Sequence, residues 1–306
     1  MSDQLIVNVA PFETRIALLE GGVVTELNIG RKADRDLVGD IYLGKVQRVL
    51  PGMQAAFVEL GIGKAAFLYV GDVVRSQPTL DPIDTMEDHE PYKAIMEVEV
   101  EEKAASESDV DILLKTRRRP KERHRIEDLL KPGQEILVQV TKDLIGTKGP
   151  RVSCNISIPG RHVVFMPNYD HIGISRKITE EEERERLRSL LAQKKPPEGG
   201  FVARTVSQGV PNEKILLDCE YLVSLWNDVQ NRVKKLSAPT LVQPELDLVL
   251  KCVRDMTHET LSRIVIDDED TYRRTVNFLE IFHQPMSEKV ELYEKKEPIF
   301  ESFGIE

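Results

Sequence analysis

The chain has 306 residues, 41% of them hydrophobic, and carries 42 basic against 52 acidic side chains, a net charge of −10. This charge excludes a protein that coats nucleic acid by bulk electrostatics, so any such contact has to be local. No apolar run approaches the roughly 20 residues of a membrane span, and the N-terminus lacks the regions of a signal peptide. We therefore expect a cytoplasmic protein with no membrane partner.

The two ends of the chain have the patterns of strands and helices in alternation. Residues 4–9, 14–20 and 23–29 are predicted to form an antiparallel meander, and residues 244–306 alternate helix with strand. We expect these ends, residues 1–38 and 244–306, to form one α/β layer that everything between them interrupts.

Residues 41–70 have the pattern of three strands of a small barrel. Alternating apolar positions and the turns at Pro51-Gly52 and Gly61-Ile62-Gly63 separate them. Phe57 and Phe67 fall near the middles of the second and third strands, with Lys45 nearby. Two interpretations stay open: the rings stack on nucleic-acid bases, or they are core residues of an ordinary meander.

A charged segment at residues 72–132 follows, acidic first and then basic. Its prolines and like-charge runs predict a mostly disordered insert with a short helix within residues 117–130, and a solvated loop is favoured over a basic arm that guides a ligand.

Residues 134–142 and 147–156 then supply the strands that close the barrel. Lys148, in the turn between them, is either a binding residue or a solubility residue.

The region from residue 156 to 243 holds a candidate phosphate site. A predicted strand ends in Arg204 and Thr205, bracketed by glycines; arginine offers a planar fork of donors and threonine a hydroxyl. A surface salt bridge is the alternative.

Two helices are predicted around this site. Thr179 with Glu182 has the pattern of a capping box, which predicts a helix start. Residues 213–236 carry one apolar stripe that places Trp226 in the core.

Several motifs resemble the ribonuclease E/G family of bacterial endoribonucleases, in the same order along the chain. They are Ile41-Tyr-Leu-Gly-Lys-Val, Gln54-Ala-Ala-Phe-Val-Glu-Leu-Gly, Ala66-Phe-Leu, Val163-Val-Phe-Met-Pro-Asn, Gly173-Ile-Ser-Arg-Lys, Ala203-Arg-Thr-Val and Leu216-Leu-Asp-Cys. The segment at residues 72–132 departs most from the family pattern. The loop before Ile-Ser-Arg is also shorter than usual.

The resemblance implies an α+β, multi-part fold. A ribonuclease-H-like α/β layer would be interrupted by an OB-fold RNA-binding domain at residues 39–155 and a 5′-sensor subdomain at residues 156–243. It implies single-stranded RNA, preferably 5′-monophosphorylated, as the partner. RNA would contact Phe57, Phe67, Lys148 and Lys45, and the 5′-phosphate would contact Arg204, Thr205, Gly160 and Val164.

On the same resemblance, we expect this chain to be inactive alone. The complete enzyme is expected to need magnesium, but the sequence ends where family members continue into the subdomain with the catalytic aspartates. Asn8 stands where a ribonuclease H site wants a carboxylate, and the acids at 267–270 are more typical of a helix start than of a metal site. The alternatives are a non-catalytic RNA-binding regulator or assembly factor, and a chain that pairs with a separate catalytic part or with itself.

The three cysteines predict no metal or disulfide framework. Cys154, Cys219 and Cys252 are too few and too far apart, so we expect reduced thiols.

Overall fold

The computed structural model describes residues 3–31, 36–73, 125–143, 149–257 and 260–306. The strands, in chain order, are β1 (Asp3–Val9), β2 (Glu13–Glu20), β3 (Val23–Arg31), β4 (Ile41–Leu50), β5 (Ala55–Glu59), β6 (Ala66–Tyr69), β7 (Glu135–Lys142), β8 (Arg151–Ser153), β9 (Ile158–Pro159), β10 (Val163–Met166), β11 (Ile172–Ile174), β12 (Gly200–Ala203), β13 (Thr240–Gln243), β14 (Leu261–Ile266) and β15 (Val290–Leu292). The helices are α1 (Ile126–Leu129), α2 (Glu181–Lys194), α3 (Asn212–Val233), α4 (Leu248–Met256), α5 (Glu269–Phe282), α6 (Gln284–Ser287) and α7 (Ile299–Ser302).

The chain divides into two compact units. One unit contains residues 1–40, 156–235 and 243–306, and the other contains residues 41–155 and 236–242. The predicted division into four domain segments stays a prediction. Most of the charged segment, residues 74–124, lies outside the described residues.

The smaller unit is a closed five-stranded barrel, consistent with the predicted OB-fold. Strands β4, β5 and β6 form the antiparallel meander that the sequence predicts, β8 pairs parallel to β6, and β7 joins β8 to β4 and closes the ring. Buried Val58, Leu68 and Val152 fill its interior. Gly149 enters β8 so close to the Ala65 carbonyl that a Cβ there would clash with it.

The larger unit contains a five-stranded sheet in the order β15-β14-β1-β2-β3. Strands β1 to β3 are antiparallel, as predicted, whereas β14 lies parallel to both β1 and β15. Successive β1 residues face opposite sides: Leu5 and Val7 pack with α4 and α5, whereas Ile6 packs with Ile299 and Phe300. The sheet is therefore covered on both faces and the fold is mixed α+β.

A second, four-stranded sheet in the same unit has the order β11-β12-β10-β9. Phe165 of β10 and Phe201 of β12 are both fully buried, and their ring centroids lie 5.1 Å apart. The long helix α3 buries Ile215, Cys219, Leu222 and Val229, as its stripe predicts, and Trp226 is half-buried. Arg204 directly follows the last residue of β12, and its side chain is partly exposed.

The predicted capping box at Thr179 is wrong. Helix α2 begins at Glu181, its N-cap is Glu180, and no side-chain oxygen caps it. The Arg184 side chain instead donates to the carbonyls of Ser175 and Ile178, which holds the chain that leads into the helix. In the described chain, no helix is long and apolar enough to cross a membrane.

Candidate functional site

Phe57 and Phe67 are directly opposite each other on β5 and β6, with ring centroids 6.1 Å apart and ring planes at 71°. Their sequence neighbours Val58, Ala66 and Leu68 are buried in the barrel. Because side chains alternate across a strand, the two rings lie on the outer face, where both are half-buried. Outer-face rings can stack on flat ligands, and planes 71° apart would turn successive stacked groups away from each other.

An arginine flanks each ring in the adjacent strand. Arg48 of β4 is in register with Phe57, and Arg151 of β8 is in register with Phe67. We call Arg48, Phe57, Phe67 and Arg151 the cross-strand row. Arg151 is held by the buried Asp72 carboxylate, which accepts from its Nη2 at 2.9 Å, while its side chain stays 41% exposed. The row thus places cations on either side of two aromatic rings.

The predicted lysines have different outcomes. Lys45 is exposed on β4, where it is opposite Glu59, two residues from Phe57 along β5. Lys148 lies outside the described residues. Lys45 is therefore on the same barrel face as the cross-strand row, and the position of Lys148 stays a prediction.

Arg204 is anchored through one nitrogen only. Its Nη1 donates to the carbonyls of Gly160 at 2.7 Å and Arg161 at 3.2 Å and to the Asp255 carboxylate at 3.0 Å. Within the described residues, its Nε and Nη2 have no hydrogen-bond partner. The side chain is 17% exposed. The Nε–Nη2 edge is the one that binds two oxygens of a planar or tetrahedral anion side by side.

The other predicted phosphate contacts are arranged differently. Thr205 is exposed, and its hydroxyl lies 2.9 Å from the Ser175 hydroxyl. The N–H of Gly160 donates to the Val163 carbonyl at 2.8 Å, and Val164 is buried in β10, paired with Pro159 and Val202. The structure thus brings Arg204 to Gly160, but turns the Thr205 hydroxyl to Ser175.

Asp218 of α3 is a buried acid that organises this segment. Its carboxylate accepts from the N–H groups of His162 at 2.7 Å, Val163 at 3.1 Å and Arg161 at 3.4 Å. Burial raises the pKa of Asp218, and these N–H groups and Arg204 oppose that rise. A Cβ at position 160 would clash with the carboxylate, which accounts for Gly160. Asp218 therefore fixes the carbonyls that anchor Arg204.

Arg204 lines a cavity of about 1030 Å³ in the larger unit, which we call the Arg204 cavity. Arg161, His162, Lys214 and His283 also line it. The Arg161 guanidinium makes no hydrogen bond or ion pair with any described residue. Burial lowers the pKa of Arg161, and the charges of Asp255 and Asp218 oppose that shift. Two arginines that line the cavity thus have guanidinium donors without a partner among the described residues, which suits an anion.

Two of the acids that line the cavity, Asp218 and Asp255, bind protein groups. Asp255 lies between Arg204 and Arg254, whose Nη2 is 2.8 Å from it. Burial raises the pKa of Asp255, but hydrogen bonds from Arg254 and the charges of both arginines outweigh burial, so the pKa lies below its ordinary value. Asp255 stays ionised and balances one arginine. The cavity lining holds three basic side chains, Arg161, Arg204 and Lys214, and four acidic ones, Asp218, Glu220, Asp255 and Glu280.

The carboxylates at residues 267–270 do not fit a metal site. Asp267 accepts from the Asn8 side chain at 2.6 Å and from the Val9 N–H at 2.7 Å. Asp268 caps α5, accepting from the Thr271 N–H at 2.9 Å. In the described residues no group of three or more His, Cys, Asp or Glu side chains can hold a metal ion. Asp267 and Asp268 therefore act as hydrogen-bond acceptors that hold β1 and the start of α5.

Comparison with known proteins decides the family. The model of the Ribonuclease E/G family matches residues 157–306. Ribonuclease G of Escherichia coli (strain K12) is 37% identical over 306 residues, all of this chain and 56% of that protein. The chain belongs to the ribonuclease E/G family. Ribonuclease G of Haemophilus influenzae is 37% identical over 303 residues, and Ribonuclease E of Nostoc sp. is 34% identical over 272, or 88% of this chain and 34% of that protein.

The match confirms the family that the motifs predict. The chain spans about half the length of the Ribonuclease G proteins it matches. The part matched by the ribonuclease E/G family model contains Arg204, Gly160 and Asp218, whereas the alignment with Ribonuclease G also covers the barrel and its cross-strand row.

Sequence reasoning missed three residues of this candidate site: Asp218, Asp255 and Arg161. One signal was present, because Asp218 lies on the buried stripe of α3, three residues from Ile215 and four from Leu222. An acid on an apolar stripe indicates a buried polar partner. The surroundings of Asp255 and Arg161 are set by folding, and no local pattern marks these two residues.

Proposed function

We propose that the chain is the RNA-binding and 5′-monophosphate-sensing portion of a ribonuclease E/G endoribonuclease that cleaves single-stranded RNA in RNA processing and decay. Family membership supplies RNA as the substrate class. The observation that carries the sensing role is the Arg204 guanidinium, which is anchored through Nη1, has no partner for Nε and Nη2 among the described residues, and belongs to a residue that lines a cavity. A terminal phosphate offers the two oxygens that this edge can bind.

The barrel would supply general affinity for RNA. Phe57 and Phe67 offer rings for stacking, and Arg48, Arg151, Lys45 and Lys148 offer charges for phosphates. Since the two ring planes lie at 71°, bases on both rings could not stay stacked on each other. That geometry favours single-stranded RNA over a duplex.

The remaining parts act as support. The strand order β15-β14-β1-β2-β3 supports a ribonuclease-H-like layer. Asn8 donates a hydrogen bond to Asp267 and occupies the position where a catalytic carboxylate would be needed, so we assign this layer a scaffolding role. Residues 156–243, which carry Arg204, would be the 5′-sensor subdomain. Cleavage in the whole enzyme would depend on a divalent metal, expected to be magnesium, held outside the described residues.

The test compares one short single-stranded RNA that carries either a 5′-monophosphate or a 5′-hydroxyl, with a fluorophore at the 3′ end. We expect the wild type to bind the monophosphate about 10-fold more tightly, since a charge-assisted hydrogen bond contributes about 1.5–3 kcal/mol. Arg204→Ala should abolish the preference, and Arg204→Lys should restore only part of it because lysine lacks the fork. Fluorescence anisotropy at fixed salt measures both.

Arg188→Ala is the matched control, since Arg188 is an arginine of α2 that is 44% exposed and paired with Glu185. It should keep the full preference. Equal binding of the two RNAs by the wild type would reject the sensing role. The chain would then be an RNA-binding module that uses the barrel alone, as the regulator alternative predicts.

A further inference from the structure

The aromatic surface of the barrel does not end at the two phenylalanines. Tyr69, the last residue of β6, follows Phe67 by two residues and is opposite Ala55 of β5. Because side chains alternate along a strand, Tyr69 lies on the same outer face as Phe67. Tyr69 is 44% exposed, whereas Phe57 and Phe67 are half-buried. A third ring therefore continues the aromatic surface along β6.

The turn after β6 gives this ring a defined place. The Val70 N–H donates to the Gln54 carbonyl at 2.9 Å, which fixes the chain directly after Tyr69. The ring lies against Gly71, where a Cβ would come within 3.3 Å of a ring carbon. Among the described residues, none forms a hydrogen bond with the Tyr69 hydroxyl. The ring is thus positioned by the main chain, and its exposed surface is available to a ligand.

The same turn places a cation beside the rings. The buried Asp72 carboxylate accepts from Arg151 Nη2 at 2.9 Å and from Arg151 Nε at 3.3 Å. Arg151 is in register with Phe67, and its side chain stays partly exposed. Aromatic rings next to an oriented guanidinium suit a ligand that carries flat groups and negative charges along one chain. Single-stranded nucleic acid is such a ligand.

The spacing of the rings along β6 favours an unpaired strand. Residues two apart on a strand are separated by about 6.6 Å, since a strand rises about 3.3 Å per residue. Successive bases in a duplex are about 3.4 Å apart along each strand. Bases on Phe67 and Tyr69 would therefore be separated by nearly twice the duplex spacing, which an extended single strand allows and a duplex does not.

We propose that Tyr69 is a third base-stacking residue of the barrel, so that Phe57, Phe67 and Tyr69 each take one base of a single-stranded RNA. Arg151 then lies beside the RNA backbone. The inference rests on the proposed function, because it extends the RNA site of the barrel by one nucleotide. It concerns affinity for the body of the RNA and is independent of the 5′ end.

The test is the affinity of the full chain for hexauridylate with a 5′-hydroxyl and a 3′ fluorophore, measured by fluorescence anisotropy at fixed salt. The 5′-hydroxyl keeps the Arg204 cavity out of the measurement. Tyr69→Phe should bind like the wild type because it keeps the ring. Tyr69→Leu should bind at least about 5-fold more weakly, because it keeps apolar bulk but has no flat face. Wild-type affinity in Tyr69→Leu would overturn the proposal.

Phe12→Leu is the matched control, since Phe12 is an 85% exposed ring of the other unit. It should leave the affinity for hexauridylate unchanged, and a loss equal to that of Tyr69→Leu would overturn the proposal. Thermal unfolding of each variant checks that it is folded at the temperature of the binding measurement.

A double variant separates a third base from a base shared between rings. Phe57→Ala and Tyr69→Leu together should weaken binding by the product of their single effects, since each ring takes its own base. A double variant that binds as well as Phe57→Ala alone would overturn the proposal.

The two proposals fail in different ways. If Phe57→Ala weakens the binding of hexauridylate and Tyr69→Leu does not, the barrel still binds RNA and only the third stacking position is wrong. If neither substitution weakens binding, the proposed RNA-binding role of the barrel falls as well. The preference for a 5′-monophosphate is measured with other RNAs and depends on neither substitution.

Discussion

Asp218 and Gly160 depend on each other at the segment that anchors Arg204. The Asp218 carboxylate accepts three main-chain N–H groups, and Gly160 is the residue that leaves room for it. Its raised pKa reflects burial, so the hydrogen bonds only partly offset the cost of desolvating the charge. Arg204 is held by carbonyls of the same segment, which links a buried acid to an open cation.

Asp218→Asn should lower the free energy of unfolding by about 1–3 kcal/mol, because an amide has one acceptor oxygen and places a donor against N–H groups. Urea unfolding measures the change. Asp228→Asn, at an exposed acid on the same helix, is the control and should stay within about 0.5 kcal/mol of the wild type. An unchanged Asp218→Asn would contradict the role of the carboxylate.

His162 should make stability depend on pH in the acidic range. Burial, and then the charge of Arg161, lower its pKa from 6.5 to about 4. The unfolded chain therefore binds the proton first as the pH falls, so the free energy of unfolding decreases between pH 6.5 and about 4. His283, whose pKa burial also lowers, acts in the same direction. Asp218 acts in the opposite direction above its ordinary value of 3.8, because its pKa is raised.

His162→Gln should flatten that pH profile without removing it, since His283 remains. Urea unfolding at several pH values measures the profile, and an NMR titration of the His162 imidazole measures its pKa directly. A His162 pKa near 6.5 in the folded protein would contradict the account, as would a profile that the substitution leaves unchanged.

At the level of elements, alternation and turns predicted most strands correctly. The meanders β1–β3 and β4–β6 are confirmed because each combines period-two apolar positions with glycine turns. Helix α3 is confirmed by its stripe. The capping box at Thr179 failed because the motif is short and Arg184 holds the preceding carbonyls instead. A pattern of two residues does not determine where the helix begins when the contact from Arg184 holds the preceding segment.

The acids before α5 give a prediction about that element. Asp268→Ala should lower the free energy of unfolding by about 1 kcal/mol, because its carboxylate caps the helix at the Thr271 N–H. Asp268→Ser should recover most of the loss, since serine also caps. Thermal unfolding with and without magnesium separates capping from metal binding. If magnesium raises the midpoint of the wild type and Asp268→Ala abolishes that rise, capping is contradicted.

At the scale of the whole molecule, the larger unit is assembled from three separate parts of the chain. Arg204 meets Gly160 across 44 residues and Asp255 across 51, and Asn8 meets Asp267 across 259. Sequence order within the family indicated Arg204 and Gly160 as neighbours of a phosphate. It could not indicate that Asp218 occupies the N–H groups beside Gly160 or that the Thr205 hydroxyl turns to Ser175, because those contacts depend on packing between distant segments.

The two units are expected to do different work: the barrel binds RNA whatever its 5′ end, and the Arg204 cavity reads that end. The measurement that tests this most directly is the affinity of 5′-monophosphate and 5′-hydroxyl RNA for the wild type, Phe57→Ala, Arg204→Ala and the double variant. We expect Phe57→Ala to weaken both RNAs by about 1–3 kcal/mol, Arg204→Ala to remove only the advantage of the 5′-monophosphate, and the double variant to show both losses. Unchanged affinity in Phe57→Ala, or a 5′-monophosphate advantage that survives Arg204→Ala, would contradict the account.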